Sequence, residues 1–286
     1  MHKIQVKGIL SADNRMNIYR GCTHGCIYCD ARSDCYQMKH LFEDIEVKEN
    51  APELLEAALR SKRRRCMIGT GAMSDPYLHP ERELRLTRRC LEIIGKYGFG
   101  VTVLTKSDMI TRDIELLESI NENAKAVVQM TLTTADDELC RIIEPNVCAA
   151  SRRAEVLREM KGHGIPTVVW FTPLLPFIND TEENVRGIIR LCAEAGVFGI
   201  VTFGMGLTLR NGDREYFYAQ LDRYFPGLKS KYVSLYGNAY EVVSPNAPRL
   251  WTVFDEECQK YGIENDAKRI FAYLRSFPEP EQLSLL

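Results

Sequence analysis

Apolar residues along the chain alternate between two spacings, the period of strands and the period of helices, and the two take turns. MNIYR (16–20) reads as a short strand leading into a cysteine-rich loop. Pro52 then opens APELLEAALRS, where Leu55, Ala58 and Leu59 share a helical face. CMIG reads as the next strand and runs into the loop TGAMSDPYLHP, which Gly and Pro punctuate. A helix is expected from Glu81 to about Lys96, with Leu84, Thr87, Leu91 and Ile94 on one side, followed by the strand VTVLT. A helix from Asp113 to Ile120 precedes AVVQMTLT, whose β-branched residues suit a buried strand, and TADDELCRIIEPNVCAA reads as a loop. Ser151 is the expected cap of the next helix and Gly162 its end, before the strand TVVWF. Asp180 and Glu183 have capping-box spacing for a helix that Gly196 stops, and GIVTFG is the sixth strand.

Strands alternating with helices imply a parallel sheet with crossover helices. Six such units are too few for a closed eightfold barrel, so the expected fold is α/β, a partial (β/α)6 TIM-like barrel open on one side. EYFYAQLDRYF and TVFDEECQKYG form an added C-terminal layer. The expected division is a core over 1–212 and an extension over 213–286 that covers the barrel.

The 286 residues, 45% hydrophobic and 27% charged, suit a globular chain with a large core, disorder being confined to the C-terminal tail. MHKIQVKGIL lacks the features of a signal peptide, and the apolar stretch PTVVWFTPLLPFI is interrupted by prolines and too short to span a bilayer. The expectation is a soluble cytoplasmic protein with no membrane partner. A net charge of −2 gives no global bias toward nucleic acid. Locally, Arg60, Lys62, Arg63, Arg64, Arg65, Arg82, Arg85, Arg88 and Arg89 meet only three acidic residues. Such a patch could steer phosphate, although solvated helix faces carry similar runs.

Ten cysteines in a chain of this kind argue for metal or redox chemistry rather than a disulfide framework. Three of them, Cys22, Cys26 and Cys29, fall within GCTHGCIYCDAR (21–32), with Tyr28 before the last; the other seven are scattered and form no second cluster. Thiolates suit zinc or iron with sulfide. A closed zinc site wants four ligands, which Cys35 or His24 could complete. In a [4Fe-4S] cluster, three thiolates leave one iron open.

CxxxCxxC at the exit of a first strand resembles the radical S-adenosylmethionine (SAM) superfamily. The stretches RGCTHGCIYC, GTGAMSDPYLHPE, TLTT, the EP turn, SRRAEVL and TPLLPFIND resemble successive landmarks of its spore photoproduct lyase-like branch. Asp30 stands where many relatives carry an aromatic residue, so the lyase reaction itself does not carry over. The resemblance implies a [4Fe-4S] cluster on Cys22, Cys26 and Cys29, and SAM chelating the fourth iron through its amino and carboxylate groups. Reductive cleavage of SAM then gives methionine and a 5′-deoxyadenosyl radical that abstracts hydrogen from a substrate. By the same resemblance Gly69, Thr70, Gly71, Ser74 and Asp75 lie near the amino end of SAM, Thr131 and Thr133 near its ribose or carboxylate, and Pro173 beside adenine. Arg153, with Arg152 as rival, is the candidate for the carboxylate, and Tyr28 belongs to the cofactor pocket. Cys140 is a candidate hydrogen-atom donor, against its alternative as a small core residue. A reductant such as flavodoxin or ferredoxin is implied. Nucleic acid is the first substrate candidate, with a peptide or small metabolite as rival and a noncatalytic zinc module as the competing class.

Overall fold

The computed structural model describes residues 1–278, so the expectation for the C-terminal tail lies outside the described residues. The chain runs β1 (His2–Ile4), β2 (Arg15–Met16), β3 (Tyr19–Arg20), β4 (Glu46–Lys48), α1 (Ala51–Ser61), β5 (Met67–Thr70), α2 (Glu81–Leu84), α3 (Leu86–Lys96), β6 (Gly100–Thr105), α4 (Ile114–Asn123) and β7 (Ala126–Thr131). It continues through α5 (Asp137–Ile143), α6 (Ala150–Gly162), β8 (Thr167–Trp170), α7 (Glu182–Ala195), β9 (Gly199–Val201), β10 (Gly206–Thr208), α8 (Asp213–Tyr224), α9 (Leu228–Tyr236), β11 (Glu241–Val243), α10 (Ala247–Tyr261) and α11 (Ala267–Arg275).

Six strands form one all-parallel sheet in the order β2-β5-β6-β7-β8-β9. Each sits beside the next strand of the series, as right-handed crossovers lead to expect, and β2 and β9 are left as edges. This is the partial barrel that the alternating pattern predicts. Val101, Val103, Val128, Met130, Val169 and Ile200 are fully buried, part of one continuous core with the helices outside the sheet. Leu250, Val253 and Phe254 of α10 join that same core, so the C-terminal segment packs as a further layer on the barrel.

Several local expectations need correction. MNIYR is not one strand: Arg15–Met16 join the barrel, while Tyr19–Arg20 pair antiparallel with β4 in a separate sheet. Asn17 lies between the two ladders, its carbonyl taking Lys48 Nζ at 2.7 Å and its side chain taking the Met73 amide. The helix expected from Glu81 breaks at Arg85, which takes left-handed φ of 49°, because buried Glu81 turns its carboxylate onto the first amides of α3, those of Leu86 and Thr87. The loop after the fourth full strand contains α5, started by the Asp136 side chain on two free amides.

Ser151 lies inside α6 rather than at its cap. Its amide and hydroxyl both donate to Asp137, which caps that end from the neighbouring helix. Thr181, not Asp180, caps α7; Asp180 instead accepts the Phe177 amide and the Ser244 hydroxyl. Gly196 ends α7 in left-handed conformation as expected.

Candidate functional site

The cysteine loop follows β2, which places it at the C-terminal ends of the parallel strands, the catalytic end of such barrels. Below it opens a cavity of about 600 Å³. Cys22, Cys26 and Cys29 line its upper wall with Tyr28, and Gly71, Ser74, Asp75, Lys106, Thr131 and Pro173 line the strand ends. Phe203 and Tyr240 stand at the rim, both largely exposed.

The loop is held from two sides. Cys22 donates its amide to the Phe42 carbonyl, and Ile27 donates to Ile143 at the end of α5. Ser74 Oγ donates to the Gly21 carbonyl at 2.7 Å, tying the loop after β5 to the cysteine segment. Asp75 does more. It accepts the Thr105 hydroxyl at 2.7 Å, the Tyr77 amide at 2.8 Å and the Lys106 amide at 2.8 Å, and faces His24 Nδ1 at 3.6 Å. One carboxylate thus locks the exits of β5 and β6 and a residue of the cysteine loop together. Gly71 is required between them: its φ is +99°, and a Cβ there would lie 1.9 Å from the Leu104 carbonyl oxygen.

Burial pushes the Cys22 thiol up to about 12, with Cys29 acting in the same direction. Cys26 and Cys29 are raised by burial as well. Burial thus favours the thiol over the thiolate, and binding iron displaces the proton. Among the described residues, the one group of three ligand atoms within 4.8 Å of one another is elsewhere, at His2, His40 and Glu46. The three cysteine sulfurs are spread wider than the roughly 3.8 Å between thiolates on one tetrahedral zinc. Three thiolates on one cavity wall suit a [4Fe-4S] cluster with one iron left open. Cys35, a possible fourth zinc ligand by sequence, lies outside the cavity with its thiol 3.0 Å from Arg210 Nη1.

Lys106 directly follows β6, and sequence reasoning missed it. The signal was available, since a lysine just past VTVLT obeys the same rule that places Thr131 at the active end. Burial by itself would lower its ammonium, but Cys26, Glu144 and Cys29 outweigh that and hold it above the ordinary lysine range. It stays charged, 5.9 Å from the Tyr28 ring centre. No hydrogen bond or ion pair from Nζ occurs among the described residues.

Arg153 is the opposite. It is fully buried, outside the cavity wall, with Nη1 2.6 Å from Glu144 and 2.9 Å from the Thr131 carbonyl, and Nε 3.0 Å from the Cys148 carbonyl. Its donors are spent on the protein, so the structure does not bring it to a ligand carboxylate. Arg152 is likewise occupied, by Glu155, Glu159 and Asp108. The Tyr28 hydroxyl donates to Glu144, leaving only its ring for the cavity.

Other expectations also shift. Cys140 is buried, its thiol 3.5 Å from Arg153 Nη2 and 3.6 Å from Glu144, and does not line the cavity. β7 ends at Thr131, so alternation stops there and Thr133 does not reach the mouth; its carbonyl instead accepts Asn179 and Asn184. Gly69 and Thr70 line a second cavity of about 410 Å³ lower in the sheet, with Arg15, Thr102 and Gln129. Ser74 and Asp75 do border the main cavity, but their side chains serve the scaffold.

The chain is 28% identical over 242 residues to an uncharacterised protein of Mycobacterium tuberculosis, covering 82% of this chain and 71% of that one. It is 30% identical over 169 residues to an uncharacterised protein of Methanocaldococcus jannaschii, covering 58% and 62%. In fold it resembles spore photoproduct lyase complexed with dinucleoside spore photoproduct, with TM-score 0.63, 12% identity and coverage of 87% of this chain and 74% of that one. A variant of that lyase with bound AdoMet gives TM-score 0.60 at 14% identity over 87% and 74%. Residues 16–192, more than half of the sequence and including all three loop cysteines, match the Radical SAM superfamily, and the chain belongs to that superfamily.

Proposed function

We propose that this radical SAM enzyme seats SAM against Lys106 beneath the cysteine loop and abstracts hydrogen from an organic substrate that enters over Phe203 and Tyr240. One observation carries the reading: three thiols and an ammonium with no acceptor among the described residues line the same cavity at the C-terminal ends of the strands. Cys22, Cys26 and Cys29 would hold a [4Fe-4S] cluster, which when reduced supplies the electron that cleaves SAM to methionine and a 5′-deoxyadenosyl radical. Lys106 matches the carboxylate of SAM in charge, and a charge-assisted bond there is among the stronger ones a site can make. Asp75 positions Lys106 by holding its amide and the preceding Thr105. Pro173 and Leu207 give the opposite wall an apolar face, which shields a radical from water. A low-potential protein such as flavodoxin or ferredoxin would deliver the electron.

The exposed aromatic rim suits a substrate with a flat or apolar group. Likeness to a lyase solved with a dinucleoside supports nucleic acid as that substrate, but the basic run gives it little help. Lys62, Arg63, Arg64 and Arg65 precede β5 and so lie toward the end of the sheet away from the cysteine loop. Arg88 is paired with Asp113 and Glu115, and Arg89 with Glu53.

Anaerobic reconstitution with iron and sulfide, followed by dithionite and SAM, should release 5′-deoxyadenosine. Alanine at position 22, 26 or 29 should lower that release by at least about 100-fold, because the cluster no longer assembles. Unchanged release in any of the three variants would sink the reading. Binding to oligonucleotides that weakens steeply with salt would select nucleic acid among the substrate classes.

A further inference from the structure

A second set of ligand side chains gathers away from the cluster cavity, on the small sheet of β1, β4 and β3. A nitrogen of His2, a nitrogen of His40 and a carboxylate oxygen of Glu46 all lie within 4.8 Å of one another. His2 and Glu46 are register partners on the parallel β1–β4 ladder. His40 comes from the loop between the cysteine segment and β4, and its ring meets that of His2 edge to face at 5.0 Å.

The hydrogen bonds of the two rings show which atoms are left for a ligand. His2 Nδ1 lies 3.0 Å from Asp44 Oδ2, and His40 Nδ1 lies 2.9 Å from the Leu41 carbonyl oxygen. A carbonyl only accepts, and so does an ionised carboxylate, so Nδ1 carries the proton in both rings and Nε2 of a neutral ring is a lone pair. In His40 that lone pair faces Glu46 Oε1 at 2.9 Å. Two acceptors at this distance need a positive centre between them. A second proton on His40 would serve, but a proton needs only two partners, and His2 brings a third donor atom to the same place. The Nδ1 contacts are also those that orient metal-bound imidazoles, one to a carboxylate and one to a backbone carbonyl.

We propose that His2, His40 and Glu46 bind a divalent first-row transition ion, zinc being the best match to two imidazoles and a carboxylate, with water at the open position. Donors 2.9 Å apart are bridged by an ion about 2.1 Å from each. His40 and Glu46 are mostly covered at 17% and 16% exposure, while His2 at 40% leaves a side open to solvent. The ion would fasten the loop that follows the third loop cysteine onto β4. Because β4 also pairs with β3, which leads into Cys22, the site braces the cluster loop from outside.

The test uses the tag-free full chain, reconstituted anaerobically, with iron and sulfide measured, then dialysed against micromolar zinc. The expected result is one zinc per chain beyond the cluster metal and a zinc-dependent rise in Tm of about 5 °C. His40→Ala and Glu46→Gln should each weaken zinc binding at least about tenfold and abolish the Tm response, with iron and sulfide content unchanged. Asp44→Asn, which touches no metal, should weaken it less. If His40→Ala fails to fold, Glu46→Gln keeps the side-chain shape and carries the test alone. A chain that takes up no extra zinc overturns the proposal, as does zinc bound equally well by the folded variants.

Discussion

Two cations lower the Glu144 carboxyl, and they have opposite fates. Arg153, on α6, spends its guanidinium on Glu144, on two backbone carbonyls and on contact with the Cys140 thiol. Lys106, just after β6, lines the cavity, with no hydrogen bond or ion pair from Nζ among the described residues. A buried charge is tolerated only when paired, so the satisfied one belongs to the scaffold, and the other is the proposed seat of the SAM carboxylate. Both carry one positive charge, and their partners separate them.

The largest effect should come from breaking the satisfied pair. Arg153→Met leaves Glu144 buried with only the neutral Tyr28 hydroxyl and Cys140 thiol bonded to it, and loss of one member of such a pair costs about 3–5 kcal/mol. Thermal unfolding should fall by about 10 °C, while SAM affinity measured well below Tm stays near that of the wild type. Loss of SAM affinity with an unchanged Tm would mean that the two cations have been assigned the wrong way round. The pair also sets a pH dependence. Burial pushes the Glu144 carboxyl up, but Arg153, Lys106 and the Tyr28 hydroxyl together hold it below the ordinary carboxylate range. Its folded pKa is depressed, so its stabilisation is present above the unfolded value of about 4.3 and is lost as pH falls through the folded pKa. Glu144→Gln should remove that part of the acid sensitivity, read as a flatter Tm profile below about pH 4.

A smaller effect, and of a different kind, is expected at the open cation. Lys106→Met should weaken SAM binding by roughly 10- to 100-fold, the worth of one hydrogen bond to a charged group. Tm without ligand should fall by only about 2 °C, because Lys106 makes no hydrogen bond or ion pair among the described residues and acts on Glu144 through its charge alone. Equilibrium dialysis with labelled SAM checks the first outcome and calorimetry the second. A variant with intact affinity and reduced stability would make Lys106 part of the scaffold too.

The contrast also shows what the sequence could and could not disclose. The order of strands and helices is readable because each apolar period is local, and the three loop cysteines can be singled out because the spacing CxxxCxxC needs no tertiary context. Sequence alone does not place Arg153, because an arginine after an EP turn looks the same whether its donors face a ligand or Glu144. Asp180 resembles a cap for the same reason; it sits one residue before the true cap, Thr181, and bonds Ser244 from 64 residues away. Thr133 failed because the period-two rule ends with the strand, and nothing in TLTT marks Thr131 as its last residue. What stayed hidden is partnership between residues distant in sequence.

Cys140 gives the smallest expected change and the finest test of the comparison. Its thiol sits on the Arg153 side of Glu144, 1% exposed, and burial pushes it up to about 12. A hydrogen-atom donor has to meet the substrate radical, and this sulfur touches Arg153 and Glu144 instead of the cavity. Cys140→Ser should leave release of 5′-deoxyadenosine within about twofold, since a buried near-isosteric change mainly perturbs local packing. Alkylation of the native chain by iodoacetamide, read by peptide mass, should modify exposed Cys35 readily and leave Cys140 protected, because the protonated, buried thiol is a poor nucleophile. If Cys140 alkylates as fast as Cys35, the scaffold around Arg153 opens to the cavity, and the division between a closed cation and an open one no longer holds.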